Sequence, residues 1–482
     1  MKFKDKLNKV WQYILDRPLF FILLLSLLVR LFYLSLNHPL WWDSHVYIGM
    51  AKYIFSSGNL GIWEAFRPLI HPILLGSFWK LGFNTIFIGK LLDIIFSLTS
   101  IYLTYLVGKK IFNRNTGLIA ALILSITSVF LMFTGLIQTE PLAITFSLLG
   151  IYFFTDYHKL YKLFLAGIFL ALTFLTKFPQ GLFFASVMII LLLRKEKLLF
   201  KFKQLFITGI GFTITVLPYL IFNYFRYPHM MEPFTSGSWI VNTATWMYGT
   251  GVTFYLTQFF LHHWIYLFFF VYIYYFFKEK QYHDANKTNL VLIIILFLAY
   301  FSFQVARKEV RYLVGAIPLM AILVAYSVIR IYHKLKKENI PYIRPIAFIV
   351  LCTIITVVHV PTTLHFEEVP TFEKEMLDSI EKYNITGAIV SSDPAFISYV
   401  NNKLIILSSG MIYGPQIYQM NKGKYQLLYL NDCDLICAPN DQSCLIEKED
   451  FINEIKQENK EIFNKSWKDC TFTIYLPIKN ES

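Results

Sequence analysis

The stretch LWWDSHVYIGM at residues 40–50 places two tryptophans and an aspartate directly after the first long apolar run of the chain. Tryptophan is enriched at membrane–water interfaces, where its ring lies at the level of the lipid headgroups. A carboxylate at that depth is costly and is a functional candidate by default. The stretch therefore indicates that the chain enters a membrane before residue 40, and that Asp43 is either an incidental charge in an interface anchor or a reactive group at the membrane surface.

The composition of the chain is that of a membrane protein. Of its 482 residues, 56% are hydrophobic and only 16% are charged, whereas soluble proteins have about 25% charged residues. Apolar runs that could cross a hydrocarbon core of ~30 Å predict a polytopic, all-α protein with about eleven transmembrane helices. The predicted spans are 19–37, 86–108, 116–136, 141–157, 161–176, 179–193, 204–224, 253–277, 289–306, 311–331 and 343–361.

The distribution of basic residues predicts the topology. Lys and Arg collect in the N-terminal tail and in alternate loops such as RKEKLLFKFK at 194–203, and such loops remain in the cytoplasm. The first apolar run has no small-residue cleavage site, so we expect a retained helix rather than a signal peptide. The protein is then a multi-pass cell-membrane protein with a cytoplasmic N-terminus and an extracytoplasmic C-terminus. Basic inner loops attract anionic lipid, so the net charge of +13 does not indicate nucleic-acid binding.

The C-terminal region differs in character from the rest of the chain. Segments with helical spacing, TFEKEMLDSIEKY and EKEDFINEIKQENKEIF, alternate with the strand-like segments GAIVSS, KLIIL, QLLYL, CDLICA and CTFTIYLPI. This order predicts a small α/β domain with a largely parallel sheet. We therefore predict a transmembrane domain at 1–365, with an interfacial first outer loop at 38–85, and a soluble extracytoplasmic domain at 366–482.

Four of the five cysteines lie in this predicted C-terminal domain: Cys433, Cys437, Cys444 and Cys470. An extracytoplasmic setting is oxidising and favours disulfides. Free thiols and a zinc site remain alternatives, and the connectivity cannot be read from the sequence.

Outside the C-terminal domain, few carboxylates fall on the predicted outer side or at outer helix ends. They are Asp43, Glu64, Asp93, Glu140, Glu232 and Glu309. Asp43 lies in a loop that is too apolar to be fully solvated, and we expect this loop to form short interfacial helices. The alternatives to a catalytic role are a helix N-cap for Asp43 and a helix-capping role for Glu140, which precedes Pro141.

Three of the cations on the predicted outer side, where the positive-inside bias would not place them, are candidates for a functional role. Arg67 in FRPLIHP and Arg311 in ARKEVRYLVGAIPLM begin apolar stretches, and Lys177 lies in FLTKFPQG. They could be snorkelling side chains. They could also bind a phosphate, which a planar guanidinium holds with two parallel hydrogen bonds.

Taken together, these motifs resemble a known group of enzymes. DSHVYIGMAKYIFSSGNL and RPLIHPILLGSFWKLG in the first outer loop, QTEPLAI in the second, LTKFPQGL, KEVRYLVGAIP and the terminal IVSSDPAFISYVNNKLIIL resemble GT-C glycosyltransferases of the protein O-mannosyltransferase and lipid A aminoarabinose transferase kind. Oligosaccharyltransferases also carry WWD, but in their soluble C-terminal domain, so that motif is not part of the resemblance.

The resemblance implies a fold, a donor and site residues. Asp43 matches the catalytic aspartate, Glu140 the acidic residue of the second outer loop, and Arg67 and Arg311 the cations that meet the donor phosphate. Mannosyltransferases of this group commonly carry Asp-Glu where this chain has Asp43-Ser44, which leaves the substrate open. Further candidates are Lys177 and Tyr312 for the donor phosphate, and His45, Tyr47, Glu64 and His262 for acceptor or metal contacts.

Chemistry supports the same reading independently of the resemblance. A hydroxyl that displaces a phosphate from an anomeric carbon needs a base, but polyprenyl phosphate leaves as a stable anion and needs no protonating acid. We therefore predict a hexosyl or pentosyl transferase that uses a dolichyl- or undecaprenyl-phosphate sugar, inverts the anomeric centre with Asp43 as base, and acts on a glycan, lipid or protein acceptor.

Two other readings remain open. A transporter or flippase of lipid-linked sugars would have similar hydropathy, although such proteins usually show paired repeats and interrupted helices, and neither is evident here. No cofactor is certain, and a divalent metal held by histidines and carboxylates is the alternative for the site.

Overall fold

Ten of the eleven predicted spans fall on helices of the computed structural model. The structure describes residues 16–36, 38–242, 245, 248–337, 372–407 and 410–478. The remaining predicted span, 343–361, lies outside the described residues. The short helices expected in the first outer loop are present as Trp42–Phe55 and Ile70–Lys80.

The α-helices are numbered here in chain order. They are α1 Pro18–Ser35, α2 Trp42–Phe55, α3 Ile70–Lys80, α4 Thr85–Ile111, α5 Arg114–Ile126, α6 Ser128–Met132, α7 Glu140–Phe154, α8 Leu160–Thr176, α9 Leu182–Leu193, α10 Leu198–Arg226, α11 Glu232–Asn242, α12 Phe268–Lys278, α13 Ala285–Phe303, α14 Ile317–Lys337, α15 Glu373–Lys382, α16 Gly414–Asn421 and α17 Gln442–Glu458. Within the described residues, five of them, α1, α4, α10, α13 and α14, are long and apolar enough to cross a membrane.

Small residues let the membrane helices approach closely, as is common where lipid supplies no hydrophobic driving force between helices. The clearest example is the pair α8 and α10. A β-carbon on Gly167 would lie 2.2 Å from the Thr208 carbonyl oxygen, and one on Gly211 would lie 2.3 Å from the Phe164 carbonyl oxygen. Larger residues at either position would push the two backbones apart.

The chain forms two compact units, each described by itself. The first comprises Met1–His38, Leu91–Gly135 and Thr139–Phe366, and the second Pro39–Lys90, Leu136–Gln138 and Glu367–Ser482. The segment 39–90, which contains most of the predicted first outer loop, thus groups with the C-terminal region. The predicted domain limits stay a prediction.

The second unit contains a five-stranded sheet in the order β2-β1-β3-β5-β4. The strands are β1 Ile389–Ser391, β2 Leu404–Ile406, β3 Leu427–Asn431, β4 Asn459–Trp467 and β5 Cys470–Pro477. Strand β1 is parallel to β2 and β3, whereas β5 is antiparallel to β3 and β4. The α/β class is confirmed, but the expectation of a largely parallel sheet is wrong, because the short connection between β4 and β5 can only form an antiparallel hairpin.

Two predicted elements of this domain are corrected. EKEDFINEIKQENKEIF is not one helix, because α17 ends at Glu458 and the following residues pair with β5; sheet pairing overrides the local helical pattern. CDLICA is not a strand. Asn431 accepts a hydrogen bond from the Cys433 amide, and a 3₁₀ turn follows at Asp432–Asp434.

The four C-terminal cysteines form two disulfides, as expected for an oxidising compartment. Cys433 is bonded to Cys470, which joins the 3₁₀ turn after β3 to the start of β5. Cys437 is bonded to Cys444 at the start of α17. The alternatives of free thiols or zinc ligands are wrong for these four residues.

Candidate active site

Asp43 lies in the first turn of α2, directly after the first helical residue, Trp42. The N-cap position is taken by Trp41, so the alternative that Asp43 is the N-cap is wrong. The Trp41 amide instead donates to the Ser44 hydroxyl oxygen at 3.2 Å. Ser44 therefore closes the helix start, and the Asp43 carboxylate does not serve as the cap.

Arg67 joins two carboxylates. Its Nη2 donates to Asp43 Oδ1 at 2.7 Å, and its Nε donates to Glu64 Oε2 at 2.8 Å. The guanidinium carbon lies 5.0 Å from the centre of the Phe66 ring and 5.7 Å from that of Tyr47, within the range of cation–π attraction. The structure thus brings four candidates from the sequence, Asp43, Tyr47, Glu64 and Arg67, into one cluster.

Burial affects the protonation of this cluster. Burial raises the pKa of Glu64 above its ordinary value, although Arg67 opposes the shift. Burial alone would lower the pKa of Arg67, but Asp43 and Glu64 outweigh it and raise this pKa well above the usual value. Arg67 is therefore a permanent cation, and Glu64 takes up a proton more readily than an exposed glutamate.

Ser44 connects the start of α2 to residues 136–138. Its hydroxyl donates to the Leu136 carbonyl oxygen and accepts from Gln138 Nε2 at 2.9 Å. The side chain is fully buried. Gln138, the first residue of QTEPLAI, was not among the predicted site residues; its position two residues before Glu140 was the available signal.

His45 contacts the C-terminal region of the same unit. Its Nδ1 lies 2.7 Å from the Ser398 hydroxyl oxygen, and burial lowers its pKa to about 3. The ring is therefore neutral at physiological pH. This partner differs from the acceptor or metal contact that we expected for His45.

Glu140 and Lys177, both in the first unit, form an ion pair. Glu140 is the first residue of α7 and is only 1% exposed. Lys177 follows α8, at the point where the chain turns into a short 3₁₀ helix. The expected capping position is taken by Thr139, so Glu140 is a buried carboxylate whose charge is balanced by Lys177.

Glu309 contacts three other side chains of the first unit. Its carboxylate lies 2.5 Å from Arg307 Nε and 2.5 Å from Arg311 Nε, and it accepts from the Tyr312 hydroxyl at 3.0 Å. Two of these, Arg311 and Tyr312, were predicted. The sequence analysis missed Arg307, although its spacing of two residues from Glu309 in ARKEVRY was a usable signal.

A divalent metal at the Asp43 cluster stays a prediction, and its candidate ligands have the following contacts. Asp43 and Glu64 each direct an oxygen at Arg67, His45 is engaged by Ser398, and His262 is exposed in the first unit. In the described part of the chain, the one group of three close ligand atoms is Asp432 with Cys433 and Cys470, and those two sulfurs are bonded to each other.

Residues 67–222 match the family model of dolichyl-phosphate-mannose-protein mannosyltransferases. The matched segment is about a third of the chain, so it shows a similarity to this family. It contains Arg67, Glu140 and Lys177, so the resemblance to GT-C glycosyltransferases, which transfer sugars from a lipid phosphate, is confirmed. Among curated proteins, none matches the chain.

Solved structures show the same fold. ArnT from Cupriavidus metallidurans in the apo state is 12% identical over 94% of this chain and 97% of its own, with a TM-score of 0.60. The oligosaccharyltransferase AglB from Archaeoglobus fulgidus, in complex with an inhibitory peptide and a dolichol-phosphate, is 12% identical over 98% of this chain and 75% of its own, with a TM-score of 0.55.

A second ArnT structure, bound to undecaprenyl phosphate, is 14% identical and aligns with 69% of this chain at a TM-score of 0.46. The chain covers 63% of that structure, less than two thirds of its length. The ArnT apo structure supports the predicted GT-C fold: a multi-pass membrane protein with a C-terminal domain that contains a mixed sheet.

Proposed function

We propose that this mannosyltransferase-like protein moves a sugar from a polyprenyl-phosphate donor to an acceptor hydroxyl on the extracytoplasmic face, with inversion at the anomeric carbon. The observation that carries the proposal is the contact of Asp43 with Arg67, in a cluster where Glu64 holds the other side of the guanidinium. Such a cluster supplies a base and a fixed positive charge within one site.

Asp43 acts as the general base. It accepts the proton of the acceptor hydroxyl while the hydroxyl oxygen forms a bond to the anomeric carbon, and the bond from that carbon to the phosphate oxygen breaks. The polyprenyl phosphate leaves with the electron pair as a dianion, so no acid is needed to protonate it. The hydrogen bond from Arg67 orients the carboxylate, and this geometry is the first requirement for a positioned base.

The phosphate is assigned to the outer cations. The two contacts of Arg67 with carboxylates use two of the five N–H donors of a guanidinium, so the others can donate to phosphate oxygens. Arg311, Tyr312 and Lys177, which belong to the first unit, stay predicted ligands of a donor phosphate. Their carboxylate partners, Glu309 and Glu140, fix them in place before the donor arrives, and preorganised cations stabilise a developing negative charge without reorganisation.

The test is transfer in liposomes that contain the purified protein. Synthetic dolichyl- or undecaprenyl-phosphate hexose is the donor, and a mixture of Ser- and Thr-containing peptides, glycans and lipids is the acceptor. Asp43→Asn should lower the release of polyprenyl phosphate by roughly 10² to 10⁴-fold, the usual contribution of a positioned base, while donor binding is retained. Asp378→Asn, which changes an exposed carboxylate of α15, is the matched control and should have no effect.

Two results would contradict the proposal. A folded Asp43→Asn protein with nearly full turnover would remove Asp43 as the base. A wild-type protein that carries labelled donor lipid across the liposome membrane without transferring sugar would favour the flippase.

A further inference from the structure

Within the second unit, helix α2 is hydrogen-bonded to a short turn that lies between β1 and β2. This turn, the 3₁₀ helix Ala395–Ser398, receives His45 at the Ser398 hydroxyl, as described above. About two turns further along α2, the buried ammonium of Lys52 donates to the carbonyl oxygens of Ile397 at 2.8 Å and Val400 at 2.7 Å. A lysine that binds the last carbonyls of a helix is a common way to satisfy them.

The loop that carries Glu64 and Arg67 is held by the same region. The Gly61 amide donates to the Asn402 carbonyl oxygen at 2.9 Å, and the Leu404 amide donates to the Gly61 carbonyl oxygen at 2.8 Å. Gly61 thus pairs with the edge strand β2. The next residue, Ile62, is 4% exposed and lies in the hydrophobic core on one face of the sheet, together with Ile397.

Gly61 is required at this junction. Its φ is +79°, and a β-carbon there would lie 2.0 Å from the Gly49 carbonyl oxygen of α2. The backbone of the loop is therefore pressed against α2 on one side and hydrogen-bonded to β2 on the other. Asp43 lies on the helix and Arg67 on the loop, 24 residues apart in sequence. The helix and the loop both form hydrogen bonds with the segment 395–404.

We infer that the C-terminal domain is a positioning element of the transferase, in which Ser398, through His45, together with the partners of Lys52 and Gly61 holds the Asp43–Arg67 pair in its reactive geometry. This inference rests on the proposed function of Asp43. A displacement of about 1 Å can cost on the order of 10²-fold in rate, so a support of this kind affects turnover without touching the substrate.

Ser398→Ala tests the inference in the full-length protein. The change leaves His45 Nδ1 without its partner, and kcat should fall by about 10-fold to 10²-fold, whereas the KM for the donor should change little. Ser398→Thr keeps the hydroxyl and should restore most of kcat. Ser443→Ala, which removes an exposed hydroxyl of the same domain, is the matched control.

A second comparison separates positioning from general destabilisation. In an Asp43→Asn background the residual rate no longer depends on the base. Adding Ser398→Ala should then have almost no further effect, because the effects of mutations in groups that act together are not additive. The same fold loss in both backgrounds, or full kcat in Ser398→Ala, would overturn the inference. Should Ser398→Ala fail to fold, Lys52→Met against Lys52→Arg gives the same comparison. Normal turnover in Asp43→Asn alone would instead refute the proposed function.

Discussion

Ser44 occupies the position where the mannosyltransferases that this chain resembles commonly carry glutamate. Its hydroxyl takes part in three hydrogen bonds, with Trp41, Leu136 and Gln138, and the side chain is fully buried. A glutamate would place a charge in this space and leave the Leu136 carbonyl without its donor. The departure from the family pattern thus has a structural reason, which is the link between the start of α2 and residues 136–138.

Ser44 should therefore tolerate replacement poorly. Ser44→Ala leaves buried polar groups without partners and should lower the free energy of unfolding by about 1–3 kcal/mol, and Ser44→Glu should be worse because it buries an unpaired charge. Thermal unfolding in detergent measures both. Ser77→Ala, which removes one local hydrogen bond in α3, serves as the control. A Ser44→Glu protein as stable as the wild type would contradict this account.

At the residue scale, the sequence singled out candidate side chains but did not predict which of them contact each other. Asp43, Glu64, Arg67, Glu140, Lys177 and Arg311 were all candidates because outer charges are rare in a chain this apolar. The pairs Asp43–Arg67 and Glu140–Lys177 span 24 and 37 residues. Such distances depend on tertiary packing, which local spacing does not encode; their roles in catalysis stay a prediction.

Two partly buried aspartates follow neighbouring parallel strands. Asp393 comes after β1 and Asp434 after β3, and Ser392 donates to Asp434 Oδ2 at 3.1 Å. Burial raises the pKa of Asp393 to about 6. Burial, together with the charge of Asp393, raises the pKa of Asp434 well above its ordinary value. The folded sheet therefore binds protons that the unfolded chain releases above its own pKa near 4.

This pair makes the sheet less stable as pH rises. A raised folded-state pKa contributes stability that is fully present below the unfolded-state pKa and is lost as pH rises through the folded-state value. Asp434→Asn keeps an acceptor for Ser392 and removes the charge, so it should increase the protection of β1 and β3 amides from hydrogen exchange at pH 8 and change it little at pH 4. Asp378→Asn should alter neither. A loss of protection at pH 8 would show that the ionised carboxylate is stabilising.

At the scale of elements, hydropathy and alternation predicted most helices and four of the five strands. The errors lie in segments whose secondary structure is determined by pairing with residues distant in the sequence. Strand β4, Asn459–Trp467, begins directly after helix α17. The start of β4 continues the helical pattern of the sequence, but its residues pair with β5. The segment after β3 is fixed by the Cys433–Cys470 disulfide and forms a turn.

Topology is the prediction that concerns the whole molecule. The basic loops place the N-terminus and residues 194–203 in the cytoplasm and residues 371–482 outside. An impermeant thiol reagent applied to intact cells should therefore label Asp378→Cys and not Lys197→Cys. In permeabilised cells both should be labelled, which controls for reactivity. Labelling of Lys197→Cys from outside would reverse the orientation and move the proposed chemistry to the other face.

The contact between His45 and Ser398 joins residues 353 positions apart in the chain. Ribosomes add about 5–20 residues per second, so roughly 20–70 s separate the synthesis of the two. In that interval helix α2 is already made, while the turn that supports it does not yet exist. We therefore expect a chain that still lacks residues 395–404 to transfer sugar slowly during membrane insertion, so that unfinished chains consume little of the lipid-linked sugar around them.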